Sequence, residues 1–363
     1  MSRSWVKRCK TTVMLVSAGF LICEAGVRLY ERIRYRAPLG SYDRERTLWT
    51  YDHAFKIGRP GAKFKDITMN SLGLRGPDLR SGTTRIVCIG ASETFGIFES
   101  PGNEFPRQLE RLLNRGYASP QYDVLNWSYA GALMNGFSAR VPEFAARVHP
   151  AMALIYSSPA AYIGLPSRSE HARKPTGLAL PQLRSAPYAT AVFRAIAPVT
   201  IKSLAYRGWI WLHQRGRSPL TAIPTRWLLQ FRSDLEQLVI RLRQEGIEPV
   251  LLTHATPIDS QVDGYNEALL IHWRRFYPEV SESALLEMEA KSNEWIRRFA
   301  QQEGVQLVDV EKGLRDCREC FVDFVHFTDY GAAKVAVFLG TSIKSRLSHS
   351  DERGLHPRDI VRP

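Results

Sequence analysis

Five short apolar runs, each separated from the next by a segment of helical periodicity, constrain this chain more than any other feature. They are "RIVCIG" (85–90), "YDVLNWS" (122–128), "AMALIYS" (151–157), "EPVLLTH" (248–254) and "VQLVDV" (305–310). Each is too short for a buried helix and rich in the branched and aromatic residues that suit strands. Between them, "NEFPRQLERLLNRG" (103–116) lines Phe105, Leu109, Leu112 and Leu113 along one helical face, and "MNGFSARVPEFAARV" (134–148) is helical as well. Longer helices are expected over "TRWLLQFRSDLEQLVIRLRQEG" (225–246), which stops at a glycine, over "LLEMEAKSNEWIRRFAQQEG" (285–304), and over "DYGAAKVAVFLGTSIKSRL" (329–347). Apolar strands alternating with amphipathic helices predict an α/β domain, a five-stranded parallel sheet covered by helices on both faces.

That alternation occupies residues 85–348 and is interrupted once, over 158–224. The apolar stretch "VFRAIAPVTIKSLAYRGWIWLHQR" (192–215) inside the interruption is broken by Pro198, Lys202 and Arg207, so it is no membrane span. It reads as a cap over the carboxyl ends of the strands, with a membrane-contacting face as the other reading. Residues 37–84 read as an irregular extension punctuated by Pro60, Gly61, Gly73, Gly76 and Pro77, and residues 349–363 as a polar tail. Residues 1–36 differ in kind. Arg3, Lys7, Arg8 and Lys10 precede "TTVMLVSAGFLICEAGVRLY" (11–30). The uninterrupted apolar part is about thirteen residues and reaches spanning length only by including Glu24 and Arg28. Those two are four apart and can pair on a helix. No good cleavage site follows, which favours an uncleaved signal anchor with the remainder exported, although both flanks are basic.

The formal net charge of +13 suits an anionic membrane surface or an acidic polysaccharide. No zinc-finger spacing, RNA-binding aromatic motif or basic heptad array occurs, so nucleic acid is not expected as a partner. The five cysteines, Cys9, Cys23, Cys88, Cys317 and Cys320, do not describe a disulfide framework. In an exported domain Cys317 and Cys320 suit a local disulfide; two free thiols fit the same spacing. A four-cysteine zinc site has no second pair to complete it, and no metal or cofactor is expected.

In a parallel sheet, reactive groups collect at the carboxyl ends of the strands. Ser92 follows the first run, in "RIVCIGASETFG" (85–96), and "FVDFVHFTDYG" (321–331) brings Asp323 and His326 just before the last helix. A serine hydroxyl is a poor nucleophile at neutral pH and needs a base held by a third group. The spacing lets Asp323 hold one imidazole nitrogen of His326 while the other takes a serine proton. Each element alone has a plainer reading, a helix cap for Ser92 and surface polarity for Asp323 and His326. Around them, Glu93 reads as a hydroxyl ligand or a cap for the following helix, and Thr94 as a bond within the turn. Trp127 reads as a sugar-stacking or core residue, and His254, at the end of the fourth run, as a candidate substrate contact.

Together these blocks resemble the SGNH (GDSL-like) hydrolases, in their membrane-anchored esterase or acetylhydrolase form, over roughly residues 65–345. "MNSLGLRGPDL" (69–79) is similar to the lead-in of membrane-anchored members, "GASETFG" (90–96) to the nucleophile block, "LNWSYAG" (125–131) to the second block and "DFVHFTDYG" (323–331) to the last. The resemblance implies a three-layer α/β/α sandwich of flavodoxin-like topology, with Ser92, Asp323 and His326 as the triad. It also implies an oxyanion hole made by the amides of Ser92 and Gly131. Two positions depart from the pattern. Ala91 stands where an aspartate is usual, and "IYSSPAAY" (155–162) puts Pro159 where an asparagine would donate to the oxyanion. Losing one such donor costs about a hundred- to a thousand-fold in turnover, so either Ser158, Asn135 or another group replaces it, or activity is slow, or the site has decayed. The expected function is a periplasmic, membrane-anchored serine esterase or acyl-transfer enzyme acting on a small acyl ester of a cell-surface polysaccharide or a lipid. The alternative is a non-catalytic glycan-binding or assembly component of polysaccharide export that uses a decayed cleft.

Overall fold

A computed structural model describes residues 3–35, 47–52, 55–165, 199–214, 216–258 and 264–352. The expected features at 36–46, at 166–198 of the insertion and at 353–363 of the tail lie outside the described residues. The sheet contains five parallel strands: β5 (Thr84–Gly90), β6 (Tyr122–Ser128), β7 (Met152–Tyr156), β8 (Glu248–Leu252) and β9 (Gln306–Val308). Their spatial order is β6-β5-β7-β8-β9. The chain winds one way from β5 to β6 and then reverses to β7, which is the flavodoxin-like order with its switch point between β5 and β7. Every residue of β6 and β7 is buried, as strands covered on both faces require.

One face carries α3 (Phe105–Leu113) against the last helix, α11 (Asp329–Glu352), around Phe105, Leu109, Leu154, Phe327 and Leu339. On the other face lie α7 (Thr225–Gln244) and α9 (Glu282–Gln302), whose Phe231, Leu235 and Ile296 join Trp127, Ile155 and Leu251. The expected helix over 134–148 is two short ones, α4 (Met134–Ser138) and α5 (Val141–Val148), because Pro142 starts a new first turn. A helix that the sequence pattern did not suggest, α8 (Gly264–Arg274), buries Ile271 against Tyr206 and Ile210 of α6 (Val199–Gln214) in the described part of the insertion.

The stretch before β5 is less irregular than expected. It holds two antiparallel hairpins, β1–β2 (Trp49–Asp52 with Phe55–Gly58) and β3–β4 (Lys63–Phe64 with Ile67–Thr68). Leu48, Trp49, Phe64, Met69 and Leu74 are buried in the same core as Trp127 and Phe137. Upstream, α1 (Arg3–Tyr35) contains a 23-residue stretch, Arg8–Tyr30, long and apolar enough to cross a membrane. At 1.5 Å per residue it spans about 34 Å, slightly more than the hydrocarbon thickness of a bilayer. Arg28 Nε donates to Glu24 Oε1 at 2.8 Å, the neutralising pair that the four-residue spacing suggested.

Candidate active site

β5 ends at Gly90, and α2 (Ser92–Phe95) starts two residues later. Gly90 admits no side chain: a Cβ there would sit 2.1 Å from Thr94 Oγ1 and 2.7 Å from the carbonyl oxygen of Tyr156. The far end of α2 is fastened by two buried side chains. Arg75 Nη1 donates to the carbonyls of Phe95, at 2.6 Å, and Gly96, and its guanidinium lies 5.2 Å from the Phe95 ring centroid. Asn126 Nδ2, from β6, donates to the carbonyls of Thr94 at 3.0 Å and Phe95 at 3.3 Å. These bonds satisfy carbonyls that a four-residue helix leaves without partners. Thr94, expected to bond within this turn, does not do so through its hydroxyl, which is buried with no partner among the described residues.

Ser92 is half-buried, and its Oγ donates to Glu93 Oε2 at 3.1 Å. It makes no hydrogen bond to His326 in this arrangement. The Asp323–His326 loop has its own rigid geometry. Asp323 Oδ1 accepts the amides of Val325 at 3.0 Å and His326 at 2.9 Å, and Asp323 Oδ2 lies 2.9 Å from His326 Nδ1. The Val322 amide donates to the His326 carbonyl at 2.8 Å, closing the turn. His326 Nε2 is buried without a partner among the described residues, beneath an edge-to-face contact from Phe98 at 5.0 Å. Cys317 and Cys320 form a disulfide immediately before this loop, and the Thr328 amide donates to the Cys320 carbonyl at 2.9 Å. The free-thiol reading is therefore not the state observed.

The electrostatics favour His326 as a base. Burial alone would push its imidazole down, but the charge and hydrogen bond of Asp323, followed by the charges of Glu93 and Glu99, lift it above the ordinary histidine value. Asp323 is moved the other way: burial would raise it, and the charge and hydrogen bond of His326 together with the two amides hold it below the usual carboxylate range. Burial pushes Glu99 up to about 8.

The remaining candidate residues are placed differently. Gly131 is exposed, with φ +69, a left-handed conformation at little cost for glycine, and its amide makes no hydrogen bond among the described residues. Ser158 is half-buried at the carboxyl end of β7, and Pro159 opens the 3₁₀ turn Pro159–Tyr162, where a missing N–H costs nothing. Asn135, half-buried in α4, lies four residues past Gly131. His254 departs from the expectation of a substrate contact. Its side chain is 0% exposed, and both ring nitrogens face carboxylates: Nδ1 lies 2.7 Å from Glu289 Oε2 and Nε2 lies 3.3 Å from Glu93 Oε1. Trp127 stacks on Phe144 at 3.9 Å, so its ring serves the core.

Sequence reasoning missed Arg75, Asn126, Glu289 and Arg275, whose partners are distant in the chain. Arg275, buried just after α8, feels the charge of Asp323, although burial pulls its pKa down to about 9. Trp273 stacks on Phe324 within the Asp323–His326 loop at 5.4 Å, so α8 buttresses that loop. No group of three or more His, Cys, Asp or Glu side chains among the described residues is arranged to hold a metal ion. A surface cleft of about 310 Å³ lined by Arg243, Glu248 and Gln306 opens near the amino ends of β8 and β9, away from these groups.

The five-stranded parallel sheet with this strand order, covered on both faces, is a three-layer α/β/α sandwich of flavodoxin-like topology. Among solved structures, the chain is similar to the lipase/acylhydrolase from Enterococcus faecalis (16% identity, 73% of this chain and 97% of that one, TM-score 0.43). A member of the lipolytic G-D-S-L family from Veillonella parvula is similar at 12% identity over 72% of this chain and 99% of that one, TM-score 0.40. An acetylxylan esterase mutant from Geobacillus stearothermophilus is similar at 12% identity over 73% and 96%, TM-score 0.43. No family model matches the chain, and no curated protein sequence matches it.

Proposed function

We propose that this chain is a membrane-anchored serine esterase or acyl-transfer enzyme acting on small acyl esters. The observation that carries the proposal is the Asp323–His326 pair. One imidazole nitrogen is held by a carboxylate that two backbone amides fix, and the other has no partner among the described residues. Ser92 stands at the switch point of the sheet, where this topology gathers ligands. In the reaction, Ser92 Oγ bonds to the ester carbonyl carbon as its proton passes to His326 Nε2, and the carbonyl π pair moves onto oxygen. The amides of Ser92 and Gly131 stabilise that oxyanion. His326 returns the proton to the departing alcohol, and Asp323 stabilises the imidazolium in between. Water then releases the acyl group; a sugar hydroxyl taking it instead makes the enzyme a transferase.

Our reading of the substrate is an acylated carbohydrate of the cell surface, with a lipid ester as the second choice. The spanning-length helix α1 supports membrane attachment, and the Cys317–Cys320 disulfide supports an oxidising compartment outside the cytoplasm. A reporter fused after Pro363 should be active only on the extracytoplasmic side; activity confined to the cytoplasm overturns this topology.

For the chemistry, the full chain in detergent micelles should be labelled by a fluorophosphonate and should hydrolyse a chromogenic acetyl ester. Both activities should disappear in Ser92→Ala. Activity that persists in that variant removes Ser92 as the nucleophile. The second reading is a non-catalytic glycan-binding component of polysaccharide export. It is favoured by Pro159 in place of an oxyanion donor and by a Ser92 hydroxyl directed to Glu93. Wild-type protein that neither reacts nor hydrolyses, yet retains acidic glycan, establishes that reading instead.

A further inference from the structure

The reactive serine touches a group that the proposed triad does not use. Glu93, 2% exposed, receives the Ser92 hydroxyl on Oε2 while its Oε1 faces His254, whose other nitrogen meets Glu289 on α9. The arrangement is held from behind. The His254 amide donates to Asn293 Oδ1 at 2.8 Å, and Asn293 Nδ2 donates to the His254 carbonyl at 2.8 Å. The Ala255 amide donates to the Tyr156 hydroxyl at 3.0 Å. A buried carboxylate–imidazole–carboxylate row therefore ends on the nucleophile. Such rows add little stability over apolar packing of the same volume, so stability alone is a weak account of this one.

We propose that Glu93, backed by His254 and Glu289, is a positioning residue for Ser92. Its carboxylate holds the serine hydroxyl in a resting orientation, and its fixed negative charge favours the imidazolium that His326 becomes when it takes the proton. This inference rests on the esterase reading above.

Glu93 is not itself the base. Burial would raise its pKa, but the hydrogen bond and charge of His254 and the charge of His326 bring it down to about 2, too low to draw a proton from an alcohol. Burial likewise opposes the charged form of His254, yet Glu289 and Glu93 push it up to about 10. The Glu93 charge acts on His326 alongside that of Asp323. In the reaction, the hydroxyl proton leaves Glu93 Oε2 and goes to His326 Nε2 as Oγ bonds to carbon; Glu93 neither gains nor loses a proton. The groups that set the His326 titration are Asp323 on its own loop, Glu93 on α2 and Glu99 in the segment after it. The Asp323 charge also acts on His272 of α8 and on Arg275, opposing the burial that pulls both pKa values down.

The test is the pH–rate profile of the full chain in micelles, with a chromogenic acetyl ester as the probe. Glu93→Gln keeps the shape and an oxygen acceptor but removes the charge. Its acid limb should move to lower pH by about 0.5–1 unit, and its plateau kcat/KM should fall about tenfold. Glu93→Asp keeps the charge and withdraws the oxygen from Ser92. It should keep the wild-type limb while losing plateau rate, and it carries the test if the glutamine variant fails to fold. A wild-type limb and plateau in Glu93→Gln, or a shifted limb in Glu93→Asp, overturns the proposal. Wild-type protein with no turnover instead removes the esterase reading on which it rests.

Discussion

Replacing Gly90 with alanine tests whether the strand end beneath the proposed nucleophile, Ser92, is as tightly set as its geometry indicates. The added methyl would lie 2.1 Å from Thr94 Oγ1, 2.7 Å from Thr94 Cβ and 2.7 Å from the Tyr156 carbonyl oxygen. The Thr94 side chain has limited room to turn in a buried turn, and the Tyr156 oxygen belongs to the central strand β7. Restoring ordinary contact with that oxygen requires β5 and β7 to part by about 0.7 Å at the level of Ser92. Overpacking of this kind costs about 1–3 kcal/mol, read as a drop in the urea midpoint at unchanged slope. A nucleophile displaced by about 1 Å costs on the order of a hundredfold in kcat/KM. Adding Thr94→Ala removes the Oγ1 clash and leaves the contacts with Thr94 Cβ and the Tyr156 carbonyl, so the double variant should recover part of the stability and little of the activity. Wild-type stability in Gly90→Ala would show that this turn has slack. Lost stability with unchanged kcat/KM would show that the strand end does not set the position of Ser92.

Three further outcomes follow from the same geometry. Asp323→Asn removes the charge that holds His326, so kcat should fall by about three to four orders of magnitude, and the acid limb of any residual activity should move down in pH; retention of more than a tenth of the activity refutes the role. His254 has its pKa raised from 6.5 to about 10, so its contribution to stability is complete below pH 6.5 and is lost as pH rises to about 10; Glu93, lowered from 4.5 to about 2, contributes above pH 4.5 and loses its share as pH falls toward 2. Urea midpoints taken across pH should peak between those windows, and a midpoint that climbs from pH 6.5 to 10 contradicts the buried imidazolium. Finally, Cys317→Ser with Cys320→Ser should lower kcat more than KM, because the disulfide adjoins the loop that carries the base rather than any residue assigned to binding substrate; an equal rise in KM alone argues against this.

The strands were legible because burial on both faces writes itself as unbroken apolar runs, and β6 spans the whole of "YDVLNWS". The triad candidates were legible because Asp323 and His326 lie three residues apart, and a local turn suffices to join them. What was not legible depends on long-range pairing. The hairpins before β5 are too short to show a period, and their register comes from packing on Trp127 and Phe137. Helix α8 shows a weak apolar face because its buried residues divide among α6, the Asp323–His326 loop and the main core, which Leu269 and Trp273 join. His254 reads as a strand-end residue facing a cleft, and only the fold brings in Glu289, 35 residues away, and Glu93, 161 residues away, to occupy both nitrogens. The redox state of Cys317 and Cys320 was open because a spacing of three admits either state.

Arg75 has a practical consequence for dividing this protein into parts. The periodic pattern begins at residue 85, which invites a cut there, yet the turn presenting Ser92 is fastened from upstream by Arg75, and the ion pair of Arg75 with Glu104 at 3.4 Å ties it to the start of α3. Leu48, Trp49, Met69 and Leu74 belong to the same buried cluster as the sheet. A fragment beginning at Thr84 would keep all three residues of the proposed triad while exposing an apolar face and leaving the carbonyls of Phe95 and Gly96 without their cation. The smallest unit worth expressing starts before Thr47.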